Sequence, residues 1–179
     1  MIEILDTNVD IVSLQTDVEY FLSTHDFWEE RQISLTSITG NNDWFCSIGS
    51  MKDLPRPEKS YSFLNQDLKG TYIAELINKY KKFYRWRLLH IPPGQCYSVH
   101  TDAYPDKVNK RIHIPVITND ESYFCYYGDK PGNDVETTVS FHNLKVGNVY
   151  EVNTSKLHSA INYGTTPRFH IVGVRYENN

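Results

Sequence analysis

A chain of 179 residues can bury roughly 70% of the surface its unfolded form exposes, so it can stand as one domain without disulfide or metal staples. With 40% apolar, 22% charged and 13% aromatic residues it is neither disordered, collagenous nor coiled-coil. A net charge of −4 excludes a general attraction to phosphate backbones or acidic membranes, so nucleic acid is not an expected partner.

The three cysteines, Cys46, Cys96 and Cys125, are widely and unequally spaced, which fits neither a disulfide framework nor a structural zinc site. No basic and apolar leader follows Met1, and no membrane-length apolar run occurs. The expected setting is soluble, non-secreted and cytoplasmic.

In chain order, Thr16-Asp17-Val18-Glu19 reads as a capping box and predicts a helix starting at Asp17. Gly40-Asn41-Asn42-Asp43 then separates the strand-like runs Gln32 to Ile38 and Trp44 to Ile48, as a hairpin loop would. Prolines between Leu54 and Ser60 predict an extended surface loop. Leu68, Tyr72, Ile73, Leu76, Ile77 and Tyr80 recur at helical spacing and predict a long helix over about 67–82. Lys79, Lys81, Lys82, Arg85 and Arg87 read as solvated charge at its end, offsetting the helix dipole.

From Tyr84 the texture changes to short runs of Tyr, Val, Ile and Phe between Pro-Gly, Gly-Asn and Tyr-Gly turns. These predict strands near 84–91, 95–101, 110–117, 121–127, 135–141, 148–153, 157–162 and 168–176. The expectation is a single, mainly β domain over 1–179. A mixed lead-in (1–83) packs its helices against one sheet of a two-sheet jelly roll (84–177).

The histidines carry the chemistry. His100 and Asp102 lie two residues apart at a strand end, so the period of two aims imidazole and carboxylate at one face. His158 begins a later strand and can supply a third ligand. An isolated strand histidine is more often a hydrogen-bonded interior residue. Together, two imidazoles and one carboxylate leave metal positions open, as non-haem Fe(II) oxygenases require. A structural zinc site would be closed by four protein ligands. Arg168, on the last strand, can hold a carboxylate such as the distal one of 2-oxoglutarate. Arg111 and His113 share one face of their strand, with Ile112 and Ile114 on the other. Tyr97, Tyr104 and Tyr126 are candidates to line the pocket.

Strand parity adds a constraint. If His158 and Arg168 lie on paired antiparallel strands and face one interior, their paired positions sum to an even number, as with Ala160 opposite Arg168. That predicts a three- or five-residue connection centred on Gly164, with the glycine left-handed. It turns His170 inward beside Arg168, and Phe169 and Ile171 to the opposite face.

The ordered set His100-Thr101-Asp102, Arg111-Ile112-His113-Ile114-Pro115, Gly147 to Asn153, and His158 to Gly164 leading to Arg168 resembles the aspartyl/asparaginyl β-hydroxylase-like branch of the Fe(II)/2-oxoglutarate dioxygenases. The resemblance spans about residues 84–177. It implies a double-stranded β-helix with cupin-like architecture and iron ligands His100, Asp102 and His158. It also implies 2-oxoglutarate contacts from Arg168 and from Arg111 with His113. The implied reaction uses O2, splits 2-oxoglutarate into succinate and CO2, and hydroxylates an amino-acid side chain, free or in a peptide. Ascorbate is expected to help in vitro. Some branch members acting on protein Asp or Asn have Gly where this chain has Asp102, so the substrate stays open. The alternatives are oxidation of another small metabolite or a nucleobase, and a non-enzymatic cupin-like metal- or ligand-binding module.

Overall fold

The computed structural model describes residues 2–102, 107–128 and 138–178. Its strands are β1 (Ile2–Asp6), β2 (Gln32–Ser34), β3 (Thr36–Ser37), β4 (Phe63–Leu64), β5 (Tyr84–Ile91), β6 (Gln95–Cys96), β7 (Lys107–Ile117), β8 (Ser122–Gly128), β9 (Thr138–His142), β10 (Val149–Asn153), β11 (His158–Asn162) and β12 (Arg168–Asn178). Two helices, α1 (Ile11–His25) and α2 (Tyr72–Lys79), belong to the lead-in. Six strands in the order β1-β10-β7-β12-β5-β2 form the larger sheet, and β6-β11-β8-β9 form the smaller. All their pairings are antiparallel. This is the mainly β jelly roll expected, except that the lead-in supplies both edge strands of the larger sheet.

Alternation along β7 and β12 gives the larger sheet two chemically distinct faces. Ile112, Ile114, Val116, Phe169 and Ile171 join Leu14, Val18, Phe21 and Leu22 of α1 and Ile73, Leu76 and Ile77 of α2 in one buried cluster. Burial of each such side chain contributes about 1.5–3 kcal/mol and fixes which face meets the helices. Arg111, His113, Arg168 and His170 are therefore turned inward, towards the smaller sheet.

The lead-in departs from expectation in physically legible ways. Helix α1 starts six residues earlier than predicted, because Asp10 caps it through Ser13 N at 3.1 Å. Thr16 lies inside the helix and donates its hydroxyl to Val12 O at 2.9 Å. Asp17 instead accepts from Tyr72 N at 2.5 Å, at the start of α2, so its capping role belongs to the other helix. Helix α2 is shorter than 67–82, because Gly70 takes φ +84° and separates a 3-10 turn at Gln66–Leu68 from the helix proper. Residues 44–48 do not form the second strand of a hairpin; β3 pairs with β4. The segment 54–60 is not simply a surface loop: Glu58, on a 3-10 turn, is buried against Arg85.

Arg85 and Arg87 are not solvated helix-end charges. Both are buried on β5. Arg85 sits at φ +51°, where the β5–β12 register shifts. Its guanidinium pairs with Glu58, both side chains being 1% exposed, and donates to Ser47 O at 2.9 Å and Gly49 O at 2.8 Å. Residues 135–137 of the expected fifth strand and Tyr104 lie outside the described residues. No helix among the described residues is long and apolar enough to cross a membrane.

Candidate active site

The strand expected at 95–101 narrows to β6 plus a single bridge, and that bridge builds the site. His100 N donates to His158 O at 3.0 Å and His158 N to His100 O at 2.9 Å, so the two histidines are held opposite each other. Asp102 is anchored by its own N–H to Thr154 O at 2.8 Å, while its carbonyl accepts from Asn109 Nδ2 at 2.9 Å. One ligand atom from each of His100, Asp102 and His158 lies within 4.8 Å of the others.

Backbone carbonyls set both imidazoles. His100 Nδ1 is 2.7 Å from Ser98 O, and His158 Nδ1 is 2.8 Å from Lys156 O. A carbonyl accepts only, so Nδ1 carries the proton and Nε2 keeps its lone pair. The Nε2 atoms lie 3.6 Å and 3.9 Å from Asp102 oxygens. Burial pushes the Asp102 carboxyl up, but Arg111, His158 and His100 outweigh it and hold the group at about 2. Burial likewise lowers His158 to about 4, so at neutral pH it is an uncharged donor. Its ring stacks on Phe124, with centroids 5.3 Å apart.

The three side chains open onto a cavity of about 450 Å³ that is also lined by Arg87, Arg111, His113 and Tyr97. Arg111 Nε donates to Asp102 Oδ2 at 2.5 Å. Arg168 is 2% exposed, facing the barrel interior as expected, with His170 beside it. Arg168 Nη2 lies 3.0 Å from His170 Nδ1. Because a guanidinium only donates, His170 Nδ1 is the acceptor and Nε2 carries the proton. That Nε2 is buried with no hydrogen-bond partner among the described residues, as are both ring nitrogens of His113, whose centroid is 5.9 Å from that of His170. Burial lowers both histidines well below the usual range, and the nearby Arg168 charge adds to this. No carboxylate among the described residues is ion-paired with Arg168, and burial lowers it to about 10.

The parity reading reaches the right faces by a wrong route. Strands β11 and β12 belong to different sheets, so Ala160 pairs with Phe124 and Arg168 with Ile91. Residues 163–167 form a five-residue connection, yet Gly164 is not left-handed. It is needed for space, since a Cβ there would lie 2.3 Å from Asn119 Oδ1.

Several lining residues escaped the sequence reading, among them Gln32, Ser50, Lys52 and Arg87. Arg87 was grouped with helix-end charges, although the predicted strand 84–91 placed it on the same face as Leu89, which also lines the cavity.

No family model and no curated protein matches the sequence. Solved structures do resemble the fold. AviO1 from Streptomyces viridochromogenes Tue57 aligns with 99% of this chain and 89% of its own at 11% identity, with a TM-score of 0.57. SnoN, the non-heme alpha ketoglutarate dependent epimerase from nogalamycin biosynthesis, aligns with 99% of this chain and 77% of its own at 12% identity, with a TM-score of 0.52. SnoN in complex with Fe3+, alpha ketoglutarate and nogalamycin RO gives 0.54 at 11% identity, over 99% of this chain and 78% of its own. Identities this low speak to architecture alone: the chain carries the double-stranded β-helix, jelly-roll fold of these proteins.

Proposed function

We propose that the protein is an Fe(II)- and 2-oxoglutarate-dependent oxygenase that hydroxylates an amino-acid side chain, free or in a peptide, with succinate and CO2 as co-products. One observation carries the reading: a two-histidine, one-carboxylate cluster opens onto a cavity whose wall residue His113 packs against His170 and so leads to the buried Arg168, which has no acid partner among the described residues. Three protein ligands suit a metal that must also take a chelating co-substrate and O2. The binding of Fe3+ and alpha ketoglutarate by SnoN, on the same fold, supports it.

The residues fit the two groups. His100 and His158 present Nε2 lone pairs, and Arg111 keeps Asp102 ionised. The buried, unpartnered atoms of His113 and His170 beside Arg168 suit a carboxylate, which takes the charge of Arg168 and accepts from His170 Nε2–H. When bound, the metal with 2-oxoglutarate and O2 supplies the oxidising chemistry. The protein's part is to orient the ligands, hold the distal carboxylate away from water and present the substrate in the open cavity.

Mn(II) titration tests the metal site: His100→Ala and His158→Ala should each lose at least ~10-fold in affinity, since each removes one of three ligands. Wild-type affinity in both variants would remove the assignment. Arg168→Ala should raise the 2-oxoglutarate requirement at least ~10-fold, the loss of a bidentate charged contact, while Mn(II) binding barely changes. Succinate release with Fe(II), ascorbate and a panel of amino acids and peptides, read with +16 Da products, tests the reaction. Metal and 2-oxoglutarate binding without succinate would favour a binding module.

A further inference from the structure

Of the two arginines on the cavity wall, Arg111 meets Asp102, whereas Arg87 meets no acid among the described residues. This guanidinium is 3% exposed on the inner face of β5. Among the described residues its only hydrogen bond runs from Nη1 to Gln32 Oε1 at 2.9 Å, and Nε is buried without a partner. The Nε–Nη2 edge, the fork that matches a carboxylate, is left open. Gln32 Oε1 also accepts from Gly49 N at 3.1 Å, which ties the guanidinium to the loop that brings Ser50 and Lys52 to the cavity wall.

No acid among the described residues balances this charge. Glu58 is taken by Arg85, and Asp102, the only carboxylate among the described residues that lines the cavity, is taken by Arg111. A divalent metal and doubly negative 2-oxoglutarate cancel each other, so they do not neutralise Arg87. Arg87 and Arg168 are also set apart along the strands. Arg168 pairs with Ile91 and Arg87 with Val172, four residues apart along β5 and β12, or roughly 13 Å of strand. A five-carbon diacid has one distal carboxylate and so pairs bidentately with one guanidinium.

We propose that Arg87, oriented by Gln32, forms a second anion subsite that binds a carboxylate of the prime substrate. It rests on the oxygenase reading only in calling that ligand the substrate. It narrows the substrate class to molecules with a free carboxylate near the oxidised carbon: an amino acid, a peptide C-terminus or an acidic side chain. Arg87 and Lys52 discriminate against neutral and cationic molecules, because an unpaired buried guanidinium gains most from an anion that also hydrogen-bonds to it.

The experiment titrates the Mn(II)-loaded protein with hexanoate and with its neutral isostere hexanamide, at saturating 2-oxoglutarate, following the arginine Nε–H resonances by NMR. Hexanoate should bind at least 10-fold more tightly than hexanamide and shift one Nε–H signal, which Arg87→Gln abolishes. In Arg87→Gln, hexanoate affinity should fall at least 10-fold, to that of the amide, with 2-oxoglutarate affinity within 2-fold of wild type. Gln32→Glu keeps the acceptor but adds a carboxylate beside the guanidinium, so it should cause the same loss even if the Arg87 variant does not fold. Unchanged hexanoate binding in either folded variant, or no preference for hexanoate over hexanamide, would overturn the subsite. A fall in 2-oxoglutarate affinity would overturn it too, by making Arg87 the co-substrate's arginine. If the wild type fails to bind 2-oxoglutarate at all, the oxygenase reading falls, while the same titration without 2-oxoglutarate still decides whether Arg87 binds carboxylates.

Discussion

At the scale of single residues, the site turns on which acid each arginine meets. Arg111 lies 2.5 Å from Asp102 Oδ2 and opposes the burial that would otherwise protonate it. Replacing it by Met should let the Asp102 carboxyl rise from about 2, because desolvation then acts with less opposition. Two effects on the metal compete: the guanidinium repels a cation, but it also orients the carboxylate. Partners that orient metal ligands are typically worth 10–100-fold in affinity, so orientation should win and Mn(II) binding in Arg111→Met should weaken about 10-fold. 2-Oxoglutarate binding to the metal-saturated variant should change little. The opposite split, with 2-oxoglutarate weakened and Mn(II) intact, would return Arg111 to the co-substrate role that the family resemblance implied.

At the scale of elements, periodicity was legible and partnership was not. Alternation put Arg111 with His113 on one face of 110–117 and Arg168 with His170 on one face of 168–176, because a period of two is a property of one strand. Which strands pair depends on contacts far apart in sequence, so the separation of β11 and β12 into different sheets left no local trace. Capping failed similarly: Thr16-Asp17-Val18-Glu19 has the spacing of a box, but Asp17 finds its N–H donors 55 residues away in α2. Gly164 was rightly marked as special for a wrong physical reason. It admits Asn119, whose Nδ2 donates to Asn162 Oδ1 at 3.0 Å and reaches Thr166 O at 3.2 Å, tying down the connection that leads into Arg168. Gly164→Ala should therefore cost about 1–3 kcal/mol of unfolding free energy through overpacking. In an Asn119→Ala background the same substitution should cost far less, and a double-mutant cycle in urea measures the difference. Equal costs in both backgrounds would show that the clash with Asn119 is not the reason for the glycine.

At the scale of the whole molecule, a barrel interior lined with neutral histidines makes the stability of the apoprotein depend on pH. Burial lowers His158 to about 4 and His113 and His170 well below the usual 6.5; His90, on the helix side, is lowered too. The unfolded chain takes up protons on these rings as pH drops below about 6.5, while the folded chain does not. Stability is therefore complete above that value and falls as pH falls. Each deeply buried ring costs about 1.4 kcal/mol per pH unit, or about 2 kcal/mol between pH 6.5 and 5. Asp102 contributes nothing in that interval. Its depressed carboxyl is stabilising above about 4 and loses that contribution only as pH drops towards about 2. The window from 6.5 to 5 thus isolates the histidines. Urea unfolding of metal-free protein at pH 7.5, 6.5, 5.5 and 5 should show a flat segment followed by a loss of several kcal/mol. His113→Phe removes one titrating ring whose nitrogens have no partner among the described residues, so it should make the slope shallower by about one proton. Stability that stays level from pH 7.5 to 5, or a slope untouched by His113→Phe, would mean that these rings are charged or hydrated inside the fold and that the interior is not the dry pocket its burial describes.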